Sequence, residues 1–411
     1  MQDVIIIGGG ASGLVAGIVA ARRGCQVIIL ERLNRVGKKI LVTGNGRCNM
    51  TNTTLDKIYY HSSSKVDVES VINRFGYEET KAFFNELGIM PLVEGKKVYP
   101  LSEQATSIVD VLRMELERLG VSIIPDTKVV EIKEKKGHWL LTAEDGRYFE
   151  AKKVIVATGG MTNTSLGCDG LGYELLENVG HTLQKPFPIL VHLISTTPYC
   201  KMMKGTKIKA NASIFVEDKQ IRMEYGEVLF TEDGLSGPPI FQISRVASQA
   251  SLEKKKAQVK LDLFPTHTED ELVSMLYERI AAHPERTIEN LLIGVVNKRV
   301  IIPLLKAAHI NSIHRTIEDL DYEEVMSLVC TMKGFTFEIE GTRGYKFAQV
   351  TAGGISADEI DFKTMASLKA NNLYITGEVM DVDGDCGGYN LQWAWATGYI
   401  AGESVSRNEA K

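Results

Sequence analysis

Paired cysteines at C-x-x-C spacing are missing from this chain. Its six cysteines stand at positions 25, 48, 168, 200, 330 and 386. That scatter excludes a zinc ribbon or a thioredoxin-like redox motif and leaves isolated reduced thiols, as expected in the cytoplasm. Long apolar runs are missing too, and none reaches the roughly 20 residues of a membrane-spanning helix. The opening apolar run leads straight into glycines with no basic flank, so it reads as a strand and not as a signal peptide. Basic charge is not in excess: 47 Lys and Arg stand against 52 Asp and Glu, for a net charge of −5. Nucleic-acid binders carry a basic domain, so neither a nucleic acid nor a membrane is the expected partner. Proline is scarce at 11, whereas glycine is plentiful at 37 and concentrated in a few motifs. A chain of 411 residues exceeds one ordinary core, so two or three domains are expected.

The first glycine motif lies in "DVIIIGGGASGLVAGIVAARRGCQVIILER". Val4–Ile7 is a continuous apolar run, the mark of a strand buried on both faces of a parallel sheet. Gly8, Gly10 and Gly13 follow at G-x-G-x-x-G spacing. Gly8 permits the turn, Gly10 lets a pyrophosphate approach the backbone, and Gly13 lets the helix pack against the strand. The free N–H groups of that helix suit phosphate oxygens. Gly24 ends the helix. Glu31 follows the second strand, where a carboxylate can bond ribose hydroxyls, and Arg32 is beside it.

Further βαβ units, normal in an NAD dehydrogenase, do not follow. A loop rich in Gly, Asn and basic residues comes next, "LNRVGKKILVTGNGRCNMTN". Helical patterns are read over about 67–87 and about 103–119, the second with Ser102 as N-cap. A run of strands, "VSII", "KVVEIKEK", "HWLLTAED", "RYFEAK" and "KVIVATGG", then forms a small meander before a buried strand at Val154–Ala157. This order resembles the layout of the large FAD-binding families built like glutathione reductase, and that resemblance implies FAD and not NAD.

The densest segment is "NNLYITGEVMDVDGDCGGYNLQWAWATGYIAGE". It reads as a strand at Leu373–Thr376, a glycine turn, and a helix from about Tyr389. N–H groups at that helix start can stabilise negative charge on a flavin ring, and Asp381 is placed to hold the ribityl chain. Leu391, Ala394, Trp395, Gly398 and Gly402 form a stripe whose small members predict close approach to the sheet. Trp393 and Trp395 read as core. Asp381, Asp383 and Asp385 have EF-hand spacing, but Cys386 and Gln392 occupy the positions that need Gly and an acid, so no metal is expected.

In the middle, residues 190–230 and 252–264 alternate as hairpin strands with Lys-rich turns. Ser236 and Pro238 suggest the cap and first turn of a helix through about Ser248. Thr268 to Glu271 has the form of a capping box. Helices are expected near 269–282, 287–293, 297–308 and 322–331.

Taken together, "GKKILVTGNGRCNMTN", "VIVATGG", "FTEDGLSGPPIFQIS", "TAGGIS" and "GEVMDVDGDCGGYNLQWAWATGYIAG" resemble one bacterial family. It is that of FAD-dependent NAD(P) oxidoreductases labelled aminoacetone oxidase, or BaiN-like, with relatives that reduce 3-dehydro-bile acids. The resemblance implies an α/β fold: a Rossmann-like FAD-binding domain of glutathione-reductase type, with an inserted β-barrel-like domain and a small helical domain. The boundaries read are 1–190 with 345–411 for the FAD domain, 191–265 with 332–344 for the barrel, and 266–331 for the helices. Two positions depart from the family pattern. Glu232 stands where a His precedes the Gly-x-Ser-Gly-Pro turn, and Leu171 stands where a Gly-Asp-Gly-Tyr element has its acid.

The residues expected to hold FAD are Gly8, Gly10, Ala11, Ser12, Gly13, Glu31, Arg32, Lys38, Gly44, Gly46, Arg47, Cys48, Asn49, Val129, Thr158, Gly159, Gly160, Gly377, Glu378, Asp381, Gly387, Gly388, Tyr389, Asn390 and Leu391. The expected reaction moves a hydride between flavin N5 and a small organic substrate. No second G-x-G-x-x-G appears, so NADH or NADPH would be a transient donor at the flavin face, and the inserted domains would roof the site. Catalytic candidates are Arg47, Asn49, Cys48, His192 and Tyr389. For Cys48 a small buried side chain is the favoured reading over a reactive thiolate. Two other readings stand beside this one: a flavin-binding redox sensor, and an RNA-modifying flavoprotein.

Overall fold

The computed structural model describes residues 1–406. They form two compact units, Met1–Pro188 with the segment from Gln349 onward, and Ile189–Ala348. Each is taken in turn along the chain.

Strand β1 (Gln2–Ile7), helix α1 (Ala11–Arg22) and strand β2 (Val27–Leu30) open the first unit. Val4, Ile5 and Ile6 are wholly buried, as their unbroken apolar run requires. Short strands β3 (Thr51–Asn52) and β4 (Tyr60–His61) follow. The helix predicted over about 67–87 is two helices, α2 (Val68–Arg74) and α3 (Tyr77–Glu86). The break is held from far away: the Gln392 amide donates to the Phe75 carbonyl at 2.7 Å, and Glu79 caps the Gly76 N–H at 3.0 Å. Strands β5 (Pro91–Glu94) and β6 (Lys97–Pro100) form a hairpin, followed by α4 (Ala105–Arg118). Ser102 does not cap α4, because its hydroxyl bonds Ser107 at 2.8 Å and Gln104 occupies the cap position.

Strand β7 (Ser122–Ile124) was read as part of the meander but pairs parallel with β2. The meander is β8 (Val129–Lys135), β9 (His138–Ala143) and β10 (Tyr148–Val156), so "RYFEAK" and "KVIV" are one strand, which also pairs parallel with β1. Helix α5 (Leu171–Glu177) and strand β11 (Leu183–Ile189) lead out of the unit.

The second unit contains a closed six-stranded barrel. Its strands are β12 (Leu193–Ser195), β13 (Lys207–Val216), β14 (Lys219–Phe230), β15 (Gly234–Ser236), β16 (Ala257–Asp262) and β17 (Phe335–Thr342). A turn of helix, α6 (Cys200–Met203), precedes β13, and α7 (Pro238–Leu252) follows β15. Gly237, not Ser236, is the N-cap of α7, and the helix runs four residues past Ser248 to Leu252. Helices α8 (Glu269–Ala282), α9 (Lys298–Ala307) and α10 (Tyr322–Lys333) stand between β16 and β17. The capping box at Thr268 and Glu271 is formed. The helix expected over 287–293 is a single 3-10 turn at Ile288–Asn290. Phe230, Phe335 and Phe337 are fully buried in this unit's core.

The chain then returns to the first unit through β18 (Val350–Ile355), which pairs with β11. Strands β19 (Ile360–Asp361), β20 (Ala366–Ser367) and β21 (Leu373–Ile375) complete the large sheet. Its order is β19-β20-β21-β10-β1-β2-β7, with β21, β10, β1, β2 and β7 parallel. Strand β22 (Asp383–Gly384) pairs with β4, and α11 (Tyr389–Val405) follows.

The small-residue stripe of α11 faces α1, not the sheet. A Cβ on Gly398 would lie 2.3 Å from the Ser12 carbonyl oxygen, and one on Gly402 would lie 2.7 Å from that of Ala16. Both obstacles are helix backbone, so neither can give way cheaply. Gly398→Val is expected to destabilise the protein by about 2–4 kcal/mol. The urea midpoint should fall with no change in slope.

Candidate dinucleotide site at the opening strand-turn-helix

A cavity opens at the carboxyl ends of β1, β2 and β10. This is where open parallel sheets place ligands. Its floor is Gly8, Gly9 and Gly10, with Ala11 and Ser12 of α1. Gly8 takes φ +107°, and a Cβ there would sit 2.5 Å from the Ala157 carbonyl oxygen, so the turn accepts only glycine. A Cβ on Gly10 would meet nothing within 4 Å, which leaves that backbone open to a ligand. No side chain caps the start of α1, so its first N–H groups can turn to an anion.

Glu31 stands at the wall. Its carboxylate accepts from the Gly9 N–H and the Leu33 N–H, each at 2.8 Å. Burial pushes its carboxyl up, against those two bonds and the charges of Arg32 and Lys38. Arg32 forms an ion pair with Asp169. Farther along, Lys39 donates to Glu378 at 2.6 Å and to Thr162 at 2.9 Å. The other Glu378 oxygen accepts from the Thr351 N–H at 2.7 Å. Burial works to lower the Lys39 pKa, but Cys168 and Glu378 outweigh it and leave it raised. Burial raises the Cys168 thiol, and Lys39 opposes it.

These residues fit a dinucleotide. The glycine turn and uncapped helix suit a pyrophosphate, and Glu31 suits a ribose. The Thr158 hydroxyl is buried beside the cavity without a hydrogen-bond partner, a polar group that a ligand would satisfy.

Of the residues predicted to hold the cofactor, Gly8, Gly10, Ala11, Ser12, Glu31, Arg32, Lys38, Val129, Thr158, Gly159, Glu378, Asn390 and Leu391 line this cavity. Others lie behind the wall. Gly13 packs under Gly8, and Gly160 packs on Thr351. The Gly377 N–H donates to Thr397 at 3.0 Å. Gly44 and Gly46 belong to the 3-10 segment Ile40–Gly46. The Gly387 carbonyl accepts from Asn52 at 3.0 Å, Gly388 lies against the Thr51 backbone, and Tyr389 stacks on Tyr59 at 4.6 Å. Asp381 was expected to face a ribityl chain. One oxygen of its carboxylate accepts from the Ser63 N–H at 2.9 Å and from the hydroxyls of Ser62 at 3.1 Å and Ser63 at 2.5 Å.

None of the catalytic candidates is among the residues that line this cavity. Arg47 makes two hydrogen bonds to Glu94, at 3.0 and 2.6 Å, and an ion pair with Glu103 at 2.8 Å, while covering the Tyr99 ring. Asn49 accepts from the Val98 N–H at 3.3 Å. His192 belongs to the second unit, beside Phe241. Burial lowers its pKa, with Arg343 adding to the effect. Burial also raises the Tyr389 hydroxyl. Lys39, Cys168, Asp169 and Gln349 line the cavity and went unread. Lys39 was one position from a residue that was read. Nothing local marks the other three, which reach the wall only through folding.

The model of the HI0933-like protein Rossmann domain matches residues 2–404. The chain belongs to the HI0933-like family. The resemblance drawn from the motifs therefore holds, and so does the Rossmann-like fold with a barrel. Within the family, the chain is 39% identical over 409 residues to a 3-dehydro-bile acid delta(4,6)-reductase of Clostridium scindens, covering 99% of each. It is 29% identical over 412 residues to a ribosomal RNA dihydrouridine synthase of Haemophilus influenzae, again covering 99% of each. A 3-ketosteroid-delta4-(5alpha)-dehydrogenase of Rhodococcus jostii aligns with 99% of this chain and 97% of its own, at 16% identity and a TM-score of 0.48. No helix among the described residues is long and apolar enough to cross a membrane, and no cluster of metal-ligating side chains occurs among them.

Cys48 is fully buried and its thiol is pushed up to about 12 by that burial, against a bond from Thr43. At pH 8 only about one molecule in ten thousand carries the thiolate. A disulfide reagent at pH 8 is therefore expected to label the exposed Cys330 at once and Cys48 only after unfolding, as peptide mapping would report.

Proposed function

We propose that this chain is an FAD-dependent oxidoreductase that saturates a carbon–carbon double bond conjugated to a carbonyl, with NADH or NADPH as the electron source. The observation that carries the reading is the cavity: a glycine turn, an uncapped helix start and Glu31 converge on one space. The identity to a named reductase over 99% of both chains supports it. The two relatives' names share one chemistry, since a Δ4,6 3-keto steroid and a uracil ring both present a double bond next to a carbonyl.

Bound FAD would supply a two-electron carrier that accepts hydride from the nicotinamide and gives it to the substrate. The chain's own residues do the rest. Gly8 to Ser12 would bind the pyrophosphate with backbone N–H groups, and Glu31 would orient the ribose. Lys39 holds a positive charge on the wall, and Glu378 keeps it from moving. The unpaired thiols fit a reducing compartment, the cytoplasm.

The ribosomal RNA names carry a second reading, in which the double bond belongs to a uracil within RNA. The net charge of −5 weighs against it.

Purified protein should be yellow, with the two-banded visible spectrum of oxidised flavin. In the absence of oxygen, NADH or NADPH should bleach it, and a 3-keto-Δ4 steroid should restore the colour. A colourless protein that takes up no added FAD overturns the reading. Recovery of colour with unmodified ribosomal RNA and not with the steroid would favour the second reading.

A further inference from the structure

Between β10 and α5 the chain makes an excursion whose two roots are fixed. At the first root the Met161 N–H donates to the Thr351 hydroxyl at 2.8 Å, and the Thr162 hydroxyl donates to the Gln349 carbonyl at 3.3 Å. At the second, Gly172, Tyr173, Leu175 and Leu176 of α5 are buried, and Gly172 packs on the Thr158 side chain, two residues past the end of β10. The roots therefore lie close together, as in a compact surface loop. Residues 163–170 stand between them.

This segment reaches the opposite flank of the cavity. Leu166, Gly167, Cys168 and Asp169 all line it. A Cβ on Gly167 would lie 3.1 Å from the Leu33 side chain, and Asp169 forms its ion pair with Arg32. Arg32 and Leu33 follow β2, whereas the excursion leaves from β10, and β1 lies between those two strands. Neighbouring strands stand about 4.8 Å apart, so the segment spans roughly 10 Å across the end of β1. The floor residues Gly8, Gly9 and Gly10 follow that end.

Asp169 works in two directions. One carboxylate oxygen accepts from the Leu171 N–H at 3.2 Å, at the segment's own root, and the other meets Arg32 across the cavity. The two side chains of the ion pair are 29% and 31% exposed, so the pair sits at the rim, where water can compete for it. Asn163 and Gly170, at either end of the segment, take φ +56° and +85°. Asn and Gly enter that region at least cost, and a hinge needs a few such positions to absorb its change of dihedral angle.

We propose that residues 163–170 are a strap that opens to admit and release the dinucleotide, and that the Arg32–Asp169 ion pair is its latch. The proposal rests on the reading of the cavity as a cofactor site. A latch acts in both directions. Breaking it makes opening easier whether the cavity is empty or full, so uptake and release quicken together and affinity changes less than either rate. A residue that merely gripped the ligand would change release alone.

The test measures both rates on the full chain. Release is followed by diluting the flavin-loaded protein and filtering off free FAD at timed intervals. Uptake is followed by the change in flavin fluorescence when FAD is mixed with the flavin-free chain. Asp169→Asn keeps an oxygen for the Leu171 N–H and loses the charge. Both of its rates should rise about three- to fivefold, the worth of a partly exposed ion pair. Arg32→Gln should do the same, and the double variant should be no faster than either single one, because the two side chains act as one pair. Wild-type rates in Asp169→Asn overturn the proposal. Faster release with unchanged uptake also overturns it, and so does a double variant in which the two effects multiply. A wild-type chain that takes up no FAD sinks the cofactor reading first, and the strap with it.

Discussion

The contact on which the first unit depends is the one between α1 and α11. Gly398 and Gly402 bring the α11 backbone against the carbonyl oxygens of Ser12 and Ala16, closer than any side chain would allow. Ser12 is also a floor residue of the cavity. The helix that presents N–H groups to a pyrophosphate is therefore held from behind by a helix nearly four hundred residues away in sequence. Most of the apolar residues of both helices are buried. Any displacement of α11 is felt at the turn that defines the site.

Polar groups reinforce this packing because burial leaves them no alternative. Gln392 is fully buried, and its amide answers four neighbours: Thr51 and Thr80 donate to its oxygen, and its nitrogen donates to Phe75 and Gly76. The Trp395 indole N–H finds the Met50 carbonyl at 3.0 Å. An unmade bond at any of these places costs about 1–3 kcal/mol. The network consequently sets where α2 stops and where the loop carrying Cys48 and Asn49 lies.

Much of this could be read from the residues alone. A continuous apolar run announced β1, glycine spacing announced the turn, and a run of short strand patterns announced the meander. What could not be read was decided over long distances. Gly76 and Glu79 mark a possible break between 67 and 87, but nothing there reveals that Gln392 holds it from across the chain. The stripe on α11 was visible, but its partner was not, since a helix and a sheet ask the same of a small residue. Asp381 sits in a segment dense with functional signals, yet three successive serines, Ser62 to Ser64, claim it. The line between wall residues and those behind it is likewise a matter of side-chain direction, which spacing in a loop does not disclose.

The reliance of α1 on α11 also bears on how the molecule is made. Translation delivers β1, α1 and β2 first and α11 after every other described element. Until then one flank of α1 has no partner, and β10 lacks its neighbour β21. Cofactor uptake therefore waits for α11, and a ribosome that stalls in the barrel leaves behind an unloaded intermediate with exposed apolar surface for chaperones and proteases to deal with.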